Sequence, residues 1–219
     1  MSLIVKICGL STRETLDVAL DAGADMVGFV FFSPSPRHVD LAAISKLADA
    51  ARGRAEIVVL TVNAEHKILD QIAKQVRPDW LQLHGSEPAD AVRAIKQASG
   101  IRVMKALPIA ARSDLDRIPD YADVADRILF DARPPKEATR PGGLGAVFDW
   151  HLLENLDLAL PFMVSGGLHA GNVAEAVRVT RAGGVDVSSG VERASGIKDP
   201  DMIRAFIRAA RATEELMAR

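Results

Sequence analysis

The chain has 219 residues, 48% hydrophobic and 26% charged, with 27 Lys and Arg against 29 Asp and Glu and a formal net charge of -2. That length can bury one sizeable core, while the balanced charge and only 5% aromatics exclude a basic nucleic-acid face or a stacking platform. A single cysteine closes no intramolecular disulfide, and the sequence has no charged leader and no run of about 18 apolar residues, so the protein is expected in the cytoplasm, without nucleic-acid or membrane partners.

In chain order, short runs rich in Val, Ile, Leu and Phe read as buried parallel strands. They are "LIVKI" from Leu3, "DMVGFVFF" from Asp25, "EIVVLTV" from Glu56, "WLQL" from Trp80, "IRVMKA" from Ile101, "RILFD" from Arg127, "FMVSG" from Phe162 and "VDVSS" from Val185. Segments of helical spacing lie between them. "STRETLDVALDAG" places Leu16, Ala19 and Leu20 on one face, with Ser11 or Thr12 as N-cap, Glu14 in the first turn and Gly23 at the close. "DPDMIRAFIRAARATEELM" does the same near the end with Met202, Ile203, Phe206 and Ile207.

Eight such strand and helix units fit a single α/β domain over residues 1–219, a (β/α)8 TIM barrel near the lower size limit of that fold. A doubly wound open sheet is the alternative. It is disfavoured by the even spacing and by "VKICGL", which lacks the GxGxxG expected after a first dinucleotide-binding strand.

In such a barrel the chemistry stands at the C-terminal ends of the strands. Those positions are Cys8, Ser33 to Arg37, Asn63, His84, Leu107, Asp131, Ser165 to Gly167 and Ser188 to Gly190. Glycines in "VSGGL" and "VSSGVE" leave backbone amides open after the last two strands, so Gly166, Gly167, Ser188, Ser189 and Gly190 form a candidate phosphate cradle; tight turns into helices are the plainer explanation. Without GxxxxGKS, the phosphate belongs to a small metabolite.

Cys8 and Asp131 face one another across the mouth, which suits a base and an acid on two sides of a substrate. A lone cysteine in an apolar run also serves as a small core residue, and a strand-end Asp as a helix cap. Arg37, stiffened by two prolines in "SPSPRHV", suits a carboxylate as bidentate partner, although surface arginines in turns are common. The long stretch "ARPPKEATRPGGLGAVFDW" is a candidate lid, with a disordered insertion as the alternative. The five histidines show no HExxH spacing and there is no CxxC, so no metal is expected.

Taken together, "VKICGLSTRETLDVALDAGADMVGFVFFSPSPRHV", "LQLHG", "LFDARPP", "GGLGAVFDW", "VSGGLHAGNV" and "VDVSSGVERASGIKDPDMIRAF" resemble the phosphoribosylanthranilate isomerases of tryptophan biosynthesis over nearly the whole chain. The resemblance implies an Amadori rearrangement of N-(5-phosphoribosyl)anthranilate to the 1-deoxyribulose 5-phosphate, with no cofactor and with this phosphorylated small molecule as partner. It makes Cys8 the general base and Asp131 the general acid. Arg37 falls near the anthranilate carboxylate, and His84 of "LQLHG" joins it in substrate binding. Chemically, a protonated Asp131 could open the furanose ring if burial holds the acid neutral, and a Cys8 thiolate could remove the C2 proton. Gly9 then follows Cys8 so that the chain can turn while substrate comes close.

Two departures stand out. The family pattern GGTG or GGSG reads "GGLG" here, so Leu144 removes a hydroxyl from the lid, and "GLHAGNV" replaces a proline-containing version. Two rival functions remain at this level. Another phosphate-binding isomerase or lyase of aromatic or histidine biosynthesis would pair two carboxylates or a lysine rather than Cys8 with Asp131, and a non-catalytic phosphometabolite binder would need neither. Strand alternation also sets Lys6 on the face of Cys8 and Asp186 on that of Ser188, in neighbouring strands, so a buried Lys6–Asp186 pair is expected.

Overall fold

The computed structural model describes residues 2–135, 137–138, 140–143, 145 and 147–217. Eight parallel strands close into a barrel: β1 (Ile4–Cys8), β2 (Met26–Phe31), β3 (Glu56–Thr61), β4 (Trp80–Leu83), β5 (Arg102–Ile109), β6 (Arg127–Ala132), β7 (Phe162–Val164) and β8 (Gly184–Val187). β8 returns to β1 with Lys6 opposite Asp186 and Ile7 opposite Val187, so this sheet closes on itself without an edge. Parallel neighbours need long crossovers. These carry α1 (Arg13–Asp21), α2 (Leu41–Ala51), α3 (His66–Gln75), α4 (Ala89–Ser99), the single turn α5 (Ile118–Tyr121) and α6 (Val173–Thr180), and α7 (Pro200–Met217) follows β8.

Alternation along each strand sorts the side chains into layers. Val5, Ile7, Val27, Phe29, Ile57 and Val59 pack outward beneath the helices. Met26, Val58, Met104, Leu129 and Met163 fill the lower interior, and Cys8, Val30 and Leu60 form a separate cluster at the upper, C-terminal end. At the bottom lies Trp80, with the guanidinium groups of Arg102 and Arg127 over its ring at 4.4 and 4.7 Å from the centroid and its indole N–H donating to Glu56. An interior plugged from below leaves its free polar groups at the top.

Thr12 is the cap of α1, its hydroxyl accepting from Thr15 N, and the helix buries Leu16, Ala19 and Leu20. α7 buries Ile203, Phe206 and Ile207, but Met202, expected with them, lies in the first turn at the edge of the stripe and is 38% exposed. Three further differences concern the elements themselves. Between β6 and β7 the described residues form a 3-10 turn, Trp150–Leu153, where the pattern of eight units expects a helix; Asn155 follows it with φ 56, a left-handed backbone that ends the turn. A two-stranded hairpin, β9 (Glu192–Ala194) and β10 (Ile197–Lys198), turns at Gly196 between β8 and α7. β5 runs on to Ile109, so Leu107, expected beyond the strand, stands inside it opposite Phe130. Among the described residues no helix is long and apolar enough to cross a membrane.

Candidate active site

Cys8 is the last residue of β1 and points into the barrel with Lys6 one layer below. Lys6 Nζ donates to Asp186 Oδ1 at 2.8 Å, the side chains being 0% and 5% exposed, which is the pair that strand alternation predicts. The same ammonium lies beside Cys8, near enough for each to act on the other's charge. A Cβ on Gly28 would lie 3.0 Å from Cys8 Sγ and 3.2 Å from Lys6 Nζ, so this glycine keeps the pocket between them open. Gly9 makes the expected turn with φ 78, but the group that crowds it is protein: a Cβ there would meet Arg37 Cδ at 2.6 Å.

Arg37 is buried, and its fork is already in use. Nε and Nη2 donate to Glu192 Oε1 and Oε2 at 2.7 and 2.8 Å, and Nη2 also donates to the Gly143 carbonyl at 3.1 Å. Among the described residues only Nη1 is without a partner, so the bidentate edge expected to meet a carboxylate is held by Glu192 instead. Lys198 braces the same carboxylate at 2.8 Å and donates to the Ser188 carbonyl and hydroxyl at 2.8 and 3.2 Å. The hairpin thereby ties the loop after β2 to the end of β8.

Asp131 stands at the upper end of β6, buried, with Oδ1 accepting from Ala132 N at 2.8 Å. His84 Nε2 lies 3.1 Å from Asp131 Oδ2, and His84 Nδ1 lies 2.8 Å from the Gln82 side-chain nitrogen. Gln82 precedes His84 by two residues, the strand period, which brings both to one face. The loop after β6 lies over this group: a Cβ on Gly142 would come within 2.7 Å of Asp131 Oδ2 and 2.9 Å of His84 Nε2. That placement suits the expected lid; Leu144, its altered position, lies outside the described residues.

Gly166 and Gly167 follow β7 with φ 83 and 62, a backbone open to glycine, and Ser189–Val191 form a short 3-10 turn after β8. Gly190 has no room for a side chain, since a Cβ would overlap the Leu168 carbonyl. Cys8, Arg37, His84, Asp131, Gly166, Gly167, Ser188, Ser189 and Gly190 all line one cleft, which holds about 780 Å³ of space free of protein, its open mouth included. That is the size of a small-metabolite site. Asn63, at the end of β3, faces other work: its Oδ1 accepts from Ser86 N and its own N–H donates to Glu87, bracing two loops.

A model of the "PRAI: N-(5'phosphoribosyl)anthranilate (PRA) isomerase" family matches residues 5–209. The chain belongs to this isomerase family. It is 68% identical over 215 residues to the N-(5'-phosphoribosyl)anthranilate isomerase of Bradyrhizobium diazoefficiens, covering 98% of this chain and 96% of that one. The crystal structure of phosphoribosyl anthranilate isomerase from Thermotoga maritima superposes with a TM-score of 0.86 at 35% identity, covering 96% of this chain and 99% of the other. A further solved isomerase, in complex with reduced 1-(o-carboxyphenylamino)-1-deoxyribulose 5-phosphate, is 34% identical with a TM-score of 0.83 and the same coverage.

In this phosphoribosylanthranilate isomerase family barrel, the charges beneath the cleft act on each other strongly. Burial pushes the Cys8 thiol up, and the neighbouring Lys6 pulls it only part of the way back, so that it ends above the usual thiol value. Burial also works against the charge on Lys6, yet Asp186 and Cys8 together hold its pKa above the usual lysine value. Burial brings Lys198 down against the pull of Glu192. Glu192 is opposed by burial but stabilised by Arg37 and Lys198, and ends below the usual carboxylate range. Neither Glu192 nor Lys198 had a role in the sequence reading, although both sit in the "SSGVE" and "GIKD" stretches that carry the resemblance. Their burial, 3% and 1% side-chain exposure in a short surface hairpin, is the signal that distinguishes them. Gln82 was missed too, though its spacing from His84 could have found it.

Proposed function

We propose that this barrel isomerises N-(5'-phosphoribosyl)anthranilate to 1-(o-carboxyphenylamino)-1-deoxyribulose 5-phosphate in the cytoplasm, with Cys8 as general base and Asp131 as general acid. The observation that carries the reading is one cleft lined at once by a thiol, a buried carboxyl group and a glycine-rich cradle. Family membership supports the activity, and the relative crystallised with the reduced deoxyribulose phosphate supports a ligand of this class.

The chemistry runs on proton transfers. The 5'-phosphate sits against the backbone of Gly166, Gly167, Ser189 and Gly190, where glycine lets amides approach an anion. Asp131 delivers a proton to the ring oxygen, the C1–O bond breaks, and the nitrogen lone pair forms the Schiff base. Before substrate binds, the acid form of Asp131 donates to His84 Nε2, which leaves the imidazole proton on Nδ1, facing Gln82; the hydroxyl turns from His84 to the ring oxygen to protonate it. The Gln82 side-chain oxygen, without a hydrogen-bond partner among the described residues, accepts that proton once the amide is turned over. The Cys8 thiolate takes the C2 proton, and the electron pair moves through C1 to neutralise the iminium as the enolamine forms. This tautomerises as the C2 hydroxyl proton leaves and C1 takes one up, giving the ketone. Arg37 Nη1 is the cation left to meet the anthranilate carboxylate. No step calls for a cofactor.

Loss of phosphoribosylanthranilate fluorescence on adding purified protein is the test. Turnover by the parent and its collapse in Asp131→Asn is the expected result; turnover unaffected by Asp131→Asn removes that residue as the acid.

A further inference from the structure

Lys6 is a buried lysine that the proton-transfer scheme does not use. A lysine with 0% exposure is costly unless its charge is matched, and Asp186 alone would match it. Yet the ammonium does not face Asp186 only: it lies one layer below Cys8 on the same strand, and a Cβ on Gly28 would stand 3.0 Å from Cys8 Sγ and 3.2 Å from Lys6 Nζ, so both groups border the space that a side chain on β2 would fill. The other charged groups around the thiol are accounted for. Asp186 on β8 is bound by Lys6 and by the Ser165 hydroxyl at 3.3 Å; Lys198 on β10 spends its donors on Ser188 and Glu192; Arg37 is bound to Glu192 on β9; Asp131 and His84 bond to each other. Lys6 is therefore the cation that shares the strand and the inward face of the thiol, one layer below it, and borders the same space beside Gly28.

We propose that Lys6 is a positioning residue that favours the thiolate of Cys8, with Asp186 fixing the ammonium in the layer beneath the thiol. This rests on the reading of Cys8 as base. An opposite charge close by favours the ionised form of the thiol and works against the burial that pushes the thiol up, and Asp186 keeps that charge in place. The lysine stays an ammonium throughout; the thiol loses its proton to solvent before substrate binds and regains one from C2.

Cys8 is the only cysteine, so alkylation by iodoacetamide reads it without ambiguity. The midpoint of alkylation rate against pH should rise by about one pH unit or more in Lys6→Met, with roughly tenfold slower modification at neutral pH. Because Lys6→Met strands Asp186, the double variant Lys6→Met/Asp186→Asn removes both charges and strands neither; its midpoint should also lie above that of the parent. In turnover, Lys6→Met should lose kcat with little change in KM and regain much of it as pH is raised, a recovery that a packing defect would not give. An alkylation midpoint unchanged or lowered in whichever of these variants folds overturns the proposal. Normal turnover by Cys8→Ala would instead remove the base role and leave the alkylation result to be judged separately.

Discussion

Arg37 and Glu192, 155 residues apart, form a two-bond ion pair at 2.7 and 2.8 Å with side chains only 4% and 3% exposed. The pair locks the loop after β2 to the hairpin after β8, and through the Gly143 carbonyl it also reaches the loop that covers Asp131. Arg37 thus has two duties, one toward Glu192 and one toward the cleft through Nη1.

Replacing Arg37 with Ala should accordingly raise KM about tenfold or more and also destabilise the fold, while Glu192→Gln should move KM less. A double-mutant cycle by denaturant unfolding should give a coupling of about 1–3 kcal/mol between the two. Additive effects would show that the pair contributes only geometry.

The same pair sets an acid limit. Glu192 is held below its ordinary value of 4.5, so its charged contacts stabilise fully above that value and are lost as pH falls through the lower folded pKa. The gap in Tm between the parent and Glu192→Gln should be widest near neutral pH and shrink below about pH 4.5. A gap constant from neutral to about pH 3 would contradict the shift.

The barrel was legible because its strands are buried on the face toward the helices and most of the other, which writes them as continuous apolar runs. Cys8, Asp131 and the two glycine turns were legible because strand ends in a barrel converge on one mouth. The Lys6–Asp186 pair came from the same alternation. What stayed hidden needed tertiary contact: the hairpin at Glu192 and Lys198 has only short, polar strands, the 3-10 turn at Trp150 replaces a helix without a periodic signature, and the occupation of Arg37 by Glu192 joins positions 155 residues apart.

Gln82→Leu removes the polar partner of His84 Nδ1 while keeping similar bulk. It should lower kcat about tenfold, leave KM within about threefold and shift the pH profile of kcat, since the imidazole loses the group that sets its tautomer. Parental kcat at every pH would show that His84 is oriented without it.

For the cradle, Ser189→Asp sets a negative charge where the phosphate belongs without touching the crowded Gly190. Inhibition by inorganic phosphate should weaken by about tenfold or more with Tm nearly unchanged. Inhibition equal to the parent's would place the anion elsewhere.

The central claim is that Cys8 is the base, and kcat of folded Cys8→Ala with phosphoribosylanthranilate tests it most directly. Loss of the base should lower kcat by about 10²-fold or more with KM largely kept, whereas a thiol that merely packs against Val30 and Leu60 would leave a small cavity and near-normal turnover. A folded Cys8→Ala protein turning over within about threefold of the parent contradicts the assignment.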